Sequence, residues 1–178
     1  WGAVVGNAGS RTAEHPVFDL EVLDEDGAVL ETYILRFDHL APGATTGVGG
    51  TVDDEGAEDV RVVPRCTGGW RDGDDGRDGV IAVDEVEVGT THENAAVVRY
   101  QATSHYADPV GELETNLVYR DADGRIVGGD SSVVISSMAE PVPPDEPTVE
   151  YTRGDTRLEG IASIDVYVTP QVTESSSC

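Results

Sequence analysis

The sequence predicts an all-β fold, arranged as two tandem antiparallel β-sandwich domains, and three observations carry that expectation. Apolar and polar residues alternate with period two in several short runs, as in Phe18, Leu20 and Val22 against Asp19 and Glu21. Asp-x-Asp-Gly signals punctuate those runs, and no window has a helical period. The chain also repeats itself: an offset of 97 residues carries Asp24-Glu25-Asp26-Gly27 onto Asp121-Ala122-Asp123-Gly124 without a gap. So long a period marks a duplicated domain rather than a solenoid.

The elements follow in order. Trp1, Ala3 and Val5 align with Val98, Tyr100 and Ala102 as one alternating strand of each repeat. Leu20 and Val22 align with Leu117 and Tyr119 as the next. The chain then turns, because Gly accepts a positive φ and Asp bonds its own backbone. A strand follows at once, over Val29 to Phe37 and over Arg125 to Ile135. Each repeat closes on an alternating run that ends in proline, Val60 to Pro64 and Ile164 to Pro170. Between the repeats the density of Gly and Asp from Cys66 to Gly79 predicts a linker or long loop. Pro141 to Pro147 forms a second irregular stretch. The expected organisation is therefore a first sandwich over 1–65, a linker over 66–79, a second sandwich over 80–170 and a polar tail over 171–178.

Charge bounds the function. The 178 residues carry 35 Asp plus Glu against 11 basic residues, a net charge of -24, and every basic residue is Arg. Molar salt shortens the Debye length to ~3 Å and screens the self-repulsion such a charge creates. Carboxylates stay hydrated there, whereas long Lys stems expose apolar surface. The Lys-free acidic composition resembles that of proteins from halophilic archaea; an Arg-preferring, high-GC bacterium is the alternative source. Nucleic acid and anionic membrane surfaces are poor partners for this charge. No stretch approaches the ~20 apolar residues of a membrane span. No N-glycosylation sequon occurs, and the start at Trp1 reads as a mature or trimmed product.

Phe18-x-Leu20-x-Val22-x-Asp24-x-Asp26-Gly27, followed by Leu40-Ala41-Pro42-Gly43, resembles the FxLYD-type immunoglobulin-like domains of secreted and lipoprotein-anchored archaeal and bacterial proteins. Leu117-x-Tyr119-x-Asp121-x-Asp123-Gly124 is the second copy of the pattern. That copy departs from it at Thr115, in place of the Phe, and at Pro143-Pro144-Asp145-Glu146-Pro147, in place of the Pro-Gly turn. The resemblance implies two tandem immunoglobulin-like domains acting as modules rather than as catalysts.

The repeats differ at their starts. Val80 to Val88 is a first strand for the second repeat, whereas the first repeat begins at Trp1 with no counterpart. A sandwich lacking a strand exposes a sheet edge. Either that strand was trimmed or left out, or another chain supplies it. On this reading Trp1, Val5, Leu20, Val22 and Trp70 are the candidate interface residues, with Val5, Leu20 and Val22 short of cover. Trp1 is expected in the first domain's core. Trp70 is expected at the domain junction, its sharper reading being an exposed contact for a partner.

The remaining candidates are few. Asp72, Asp74, Asp75 and Asp78 on a Gly-rich loop offer hard oxygen ligands suited to calcium. The spacing is not an EF-hand, and a solvated acidic linker is the competing reading; no other cofactor is expected. Cys66 and Cys178 suit one disulfide in an oxidising compartment. The tail reaches only ~28 Å at full extension. An internal bridge therefore needs the domains to fold back on each other, while a bridge to a neighbouring molecule does not; two free thiols are the third alternative. His15, His39, His92 and His105 show no metal-ligand spacing, and His39 reads as a loop residue. No catalytic motif is present.

These features converge on a non-enzymatic extracellular protein of a halophile: a structural or adhesive subunit of a cell-surface filament, sheath or envelope layer, associating with itself or with other surface proteins. A monomeric ligand- or protein-binding ectodomain of a surface lipoprotein is the alternative.

Overall fold

A computed structural model describes residues 1–51, 56–72, 80–90, 95–111, 113–134, 143–157 and 159–170. The described residues form strands, turns and loops, with no helix among them. In chain order the strands are β1 (Gly2–Gly6), β2 (Thr12–Glu14), β3 (Val17–Leu23), β4 (Val29–Arg36), β5 (His39–Leu40), β6 (Thr45–Gly49) and β7 (Asp59–Cys66). There follow β8 (Gly69–Arg71), β9 (Ile81–Thr90), β10 (Ala95–Ser104), β11 (Leu113–Arg120), β12 (Ile126–Val134), β13 (Pro147–Arg157) and β14 (Ser163–Pro170).

The 97-residue repeat is visible in backbone geometry. β3 lies between β4 and β7, and β11 lies between β12 and β14. The β3–β4 register slips between Val22 and Leu23, and the β11–β12 register slips at the equivalent point, between Tyr119 and Arg120. Both hairpins close by one turn. Asp24 Oδ1 accepts the amides of Asp26 and Ala28, and Asp121 Oδ1 those of Asp123 and Arg125. Gly27 and Gly124 take the left-handed position at φ 77° and 78°, where a Cβ would be strained.

The chain divides into two compact units. One groups Gly6–Thr45 with Thr51–Gly73. In it, β5-β2-β8 and β4-β3-β7 are two halves of one three-stranded sheet. Ala13 pairs with Leu40 and Glu14 with His39, and the same register resumes at Val17 with Arg36. On the other side Glu14 pairs with Gly69 and Val17 with Cys66, again without gain or loss of a residue. The break falls at His15, held at φ 45°, and Pro16. The His15 amide bonds Asp38 O, the Phe37 amide Pro16 O and the Gly68 amide Glu14 O, so the ladder continues through the break. Val17, Leu20, Val22, Phe37 and Leu40 are buried, and the Phe18 and Phe37 rings meet edge-on at 5.9 Å.

The other unit joins Asp74–Gln171 to two early segments, Trp1–Val5 and Thr46–Gly50. Its sheets β13-β10-β9 and β12-β11-β14 pack face to face. Val98, Tyr100 and Ala102 of β10 meet Leu113, Leu117 and Tyr119 of β11, with Val168 of β14. These side chains alternate along their strands, as a half-buried sheet requires. β11, however, is buried on both faces: Asn116 and Val118 point away from that core yet are 1% and 0% exposed. The β1–β6 ribbon covers them.

The sequence-based boundaries shift accordingly. Trp1–Val5 was expected in the first domain and falls in the unit of the second repeat. The expected 66–79 linker begins too early. Cys66 ends β7, and Gly69–Arg71 is a strand paired with β2. Gly and Asp density marks irregular backbone, but Trp70 and Arg71 supply a strand's cross-strand contacts there.

Candidate functional site

The ribbon is the feature that distinguishes the two repeats. β1 and β6 are antiparallel, with Trp1 and Gly50 exchanging both backbone bonds and the Asn7 amide bonding Ala44 O. The period of two then assigns the backbone groups of Ala3 and Val5 to β6 and those of Gly2 and Val4 to the outer edge. In the second repeat the same offset makes β10 the counterpart of β1. There Arg99 and Gln101, the counterparts of Gly2 and Val4, pair with Glu87 and Asp84 of β9. Among the described residues β1 pairs only with β6. The second repeat thus has a three-stranded sheet where the first has a two-stranded ribbon.

Glycine seats the ribbon. A Cβ on Gly49 would lie 2.6 Å from both Gly129 C and Leu117 O. One on Gly129 would lie 2.5 Å from Leu117 O and 2.9 Å from Gly49 Cα and Trp1 O. One on Gly47 would run into the Tyr167 ring and meet Val118 Cγ2 at 2.8 Å. Backbone therefore rests on backbone, an approach that no side chain permits. The Gly49 amide donates to Asn116 Oδ1 at 3.4 Å, giving the buried Asn a bond across the layers. Tyr167, beneath Gly47, has its hydroxyl pKa raised by burial and, less, by Asp165.

Elsewhere two buried hydroxyl pairs and three histidine–aspartate contacts tie polar groups into the fold. Tyr119 donates to Asp130 Oδ2 at 2.5 Å, and the Tyr100 hydroxyl pairs with Thr115 Oγ1 at 2.5 Å. At the sheet break His15 Nδ1 and His39 Nδ1 flank Asp38, at 3.6 and 3.2 Å. The His39 hydrogen bond chiefly holds the Asp38 carboxyl below its ordinary range, against the opposing effect of burial. His39 was expected in a loop; it lies in β5 with its side chain only 9% exposed. His105 Nδ1 meets Asp145 Oδ1 at 2.8 Å.

The residues singled out from sequence scatter. Leu20 and Val22 were expected to lack cover, yet both are 0% exposed, and Val5 is 8% exposed. An open sheet edge concerns backbone groups; it need not uncover the sheet face, which concerns side chains. Trp1 packs on Gly50 within its own unit. Trp70 is half-exposed on β8, with Arg11 Cζ 5.7 Å from its ring centroid. Asp72 is exposed, 3.8 Å from Arg11 Nε, while Asp74, Asp75 and Asp78 lie outside the described residues. No cluster of three metal-ligating side chains occurs among the described residues. Cys66 is disulfide-bonded, so it is not a free thiol; Cys178, the other cysteine of the sequence, lies outside the described residues. No described helix is long and apolar enough to cross a membrane.

Sequence reasoning missed the glycine seat and the histidine-flanked Asp38. The signal for the first was present in Gly47-x-Gly49-Gly50 and Gly128-Gly129, two glycine pairs inside alternating runs. Comparison of the chain with protein-family models, with curated proteins and with solved structures finds no match.

Proposed function

We propose that this chain is a non-enzymatic, extracellular structural or adhesive protein of a salt-adapted organism, a subunit or segment of a cell-surface assembly. The observation that carries the reading is the β1–β6 ribbon, which among the described residues has two strands where the equivalent sheet of the second repeat has three. An edge with unsatisfied N–H and C=O groups is a template for association. Supporting observations are independent of it. The disulfide at Cys66 suits an oxidising compartment. The Tyr119–Asp130 and Tyr100–Thr115 pairs spend reactive groups on the fold. The net charge of -24 suits molar salt. The immunoglobulin-like, FxLYD-type character of the repeats rests on the residues quoted for it and fits a modular role.

The test is light scattering with negative-stain microscopy of native material in molar salt. Ordered polymers or oligomers are expected. A strictly monomeric particle at every concentration would sink the assembly reading. The half-exposed Trp70 beneath Arg11 favours the second reading, a binding ectodomain, and a monomer that captures a surface ligand through Trp70 would establish that instead.

A further inference from the structure

We infer that the β1–β6 ribbon is an obligate clasp of the first repeat on the second. The face of β11 and β12 beneath it is built to receive a glycine ribbon, and the second repeat is not a complete module without that ribbon. The inference goes beyond the assembly reading and does not depend on it. Three observations lead to it.

The first is where the ribbon lies. By sequence it belongs to the first repeat, since β1 is the counterpart of β10 and β6 falls between β5 and β7. By contact, Trp1–Val5 and Thr46–Gly50 belong to the unit that holds the second repeat. The sheet β12-β11-β14 is therefore a middle layer of that unit. Leu117 and Tyr119 on one face meet Val98 and Tyr100 of β10. Asn116 and Val118 on the other face meet Gly49 and Gly47 of the ribbon.

The second is what differs between the two copies. The offset of 97 residues sets Asp19, Glu21, Glu31 and Thr32 against Asn116, Val118, Gly128 and Gly129. The strand registers keep that correspondence. Glu21 pairs with Thr32 and Val118 with Gly129, while Val22 pairs with Glu31 and Tyr119 with Gly128. In the first repeat these positions suit water: Glu31 and Thr32 are exposed, and Asp19 and Glu21 face Arg65 and Arg61. In the second repeat all three carboxylates are replaced, and two of the four side chains are reduced to hydrogen. A carboxylate under the ribbon would lose its hydration, which is costly unless a partner replaces it. Asp165, opposite Val118 on β14, keeps its charge because Arg120 Nε bonds it at 2.6 Å.

The third is reciprocity. Glycines meet from both sides of the contact. A Cβ on Gly2 would run into Gly128 O, and one on Gly129 would approach Gly49 Cα and Trp1 O. The seat therefore accepts a ribbon with glycine at 47 and 49 and excludes an ordinary strand. Asn116 Oδ1, accepting the Gly49 amide, sets the register across the layers. With the ribbon lifted, Val118 would lose its cover. The module is thus the whole chain, and a cut between the repeats leaves the halves clasped.

The test uses the whole chain with a site-specific protease sequence inserted after Gly76, in the Gly- and Asp-rich stretch between the repeats. The folded protein is cut, its disulfide is reduced, and the product is run on gel filtration in molar salt. Both fragments are expected to co-elute at the size of the uncut chain. Fragments that separate overturn the proposal. Asn116→Ala removes the acceptor of the Gly49 amide without a clash, and Gly129→Ala obstructs the seat. Each is expected to raise the dissociation constant of the halves by roughly tenfold or more. Gly111→Ala, with open space around its Cβ, should leave it unchanged. Halves that hold equally well in all three variants would be joined by some other contact, which also overturns the proposal. Should Gly129→Ala fail to fold, Asn116→Ala decides alone. In the uncut Asn116→Ala chain the Gly49 amide should exchange roughly tenfold faster than in the parent, and an unchanged rate counts against the clasp. Polymers seen by microscopy together with halves that separate would leave the assembly reading standing and sink only the clasp.

Discussion

Tyr119 on β11 donates its phenolic hydrogen to Oδ2 of Asp130 on β12, both side chains being buried beside Leu117. A hydrogen bond to an ionised acceptor is about twice as strong as one between neutral groups. Removing one partner of a buried carboxylate costs about 1–3 kcal/mol. Tyr119→Phe is therefore expected to destabilise the fold by that amount. Tyr100→Phe, which breaks the neutral pair with Thr115, is expected to cost about 1 kcal/mol. Chemical denaturation of both variants at one salt concentration orders the two effects; equal losses would mean that Asp130 draws little from Tyr119.

The glycine seat makes a sterically sharp prediction. A methyl at Gly129 or Gly49 lands within 2.6 Å of backbone atoms that cannot rotate away. Overpacking of this kind costs about 1–3 kcal/mol, and more where the backbone must move. Gly129→Ala and Gly49→Ala are expected to lower the denaturation midpoint and to loosen the ribbon first. The Gly49 amide would then exchange faster than the Tyr119 amide. Gly111→Ala is the control, since nothing lies within 4 Å of the position of its Cβ. Three equally stable variants would show that the ribbon is not seated as described.

Local chemistry explains what the sequence revealed. The turn at Asp24 to Gly27 is written in four residues, and the same four-residue grammar at Asp121 to Gly124 yields the same bonds and the same register slip one strand away. Alternation likewise puts Leu20 and Val22 on one face of β3, and that face is buried even though the same residues were expected to be short of cover. What stayed hidden depends on residues distant in sequence. Gly49 and Gly129 are 80 positions apart, and each looks like an ordinary strand-weakening glycine until the other is beside it. The sheet break is similar. Pro16 signals a local irregularity, but only the pairing of Glu14 with both His39 and Gly69 shows that the ladder passes through it.

Salt dependence follows from competing magnitudes. Arg61–Glu21, Arg65–Asp19, Arg99–Glu87 and Arg120–Asp165 are ion pairs at or near the surface. Such pairs are worth about 0–1 kcal/mol each and weaken as salt rises. Against them stands a net charge of -24 on 178 residues. Its repulsion grows as the screening distance lengthens from ~3 Å in molar salt to ~10 Å at 0.1 M. Eleven Arg cannot offset 35 carboxylates, so repulsion wins. The melting temperature is expected to fall on dilution from molar salt to ~0.1 M. A midpoint that is unchanged or rises on dilution would remove the halophile argument.

Asp38 supplies a pH dependence whose sign can be worked out. The His39 hydrogen bond lowers its folded-state pKa below the ordinary carboxyl value, against the opposition of burial and with smaller help from the charges of His39 and His15. A carboxyl depressed in the folded state binds its proton more weakly there than in the unfolded chain. Its contribution to stability is complete above the unfolded value and is lost as pH falls through the folded one. The window is therefore below about pH 4. Asp38 has a side chain 47% exposed, so solvent screening holds the contribution to the modest range of exposed pairs, about 0.5 kcal/mol. Asp38→Asn is expected to be less stable than the parent by that amount at pH 5, with the difference closing towards pH 2 to 3. His39→Gln should remove most of the same increment, because the hydrogen bond is the main cause of the shift. Denaturation midpoints of the three proteins from pH 2 to 6 in molar salt check this, and a difference that widened with acidification would reverse the assignment.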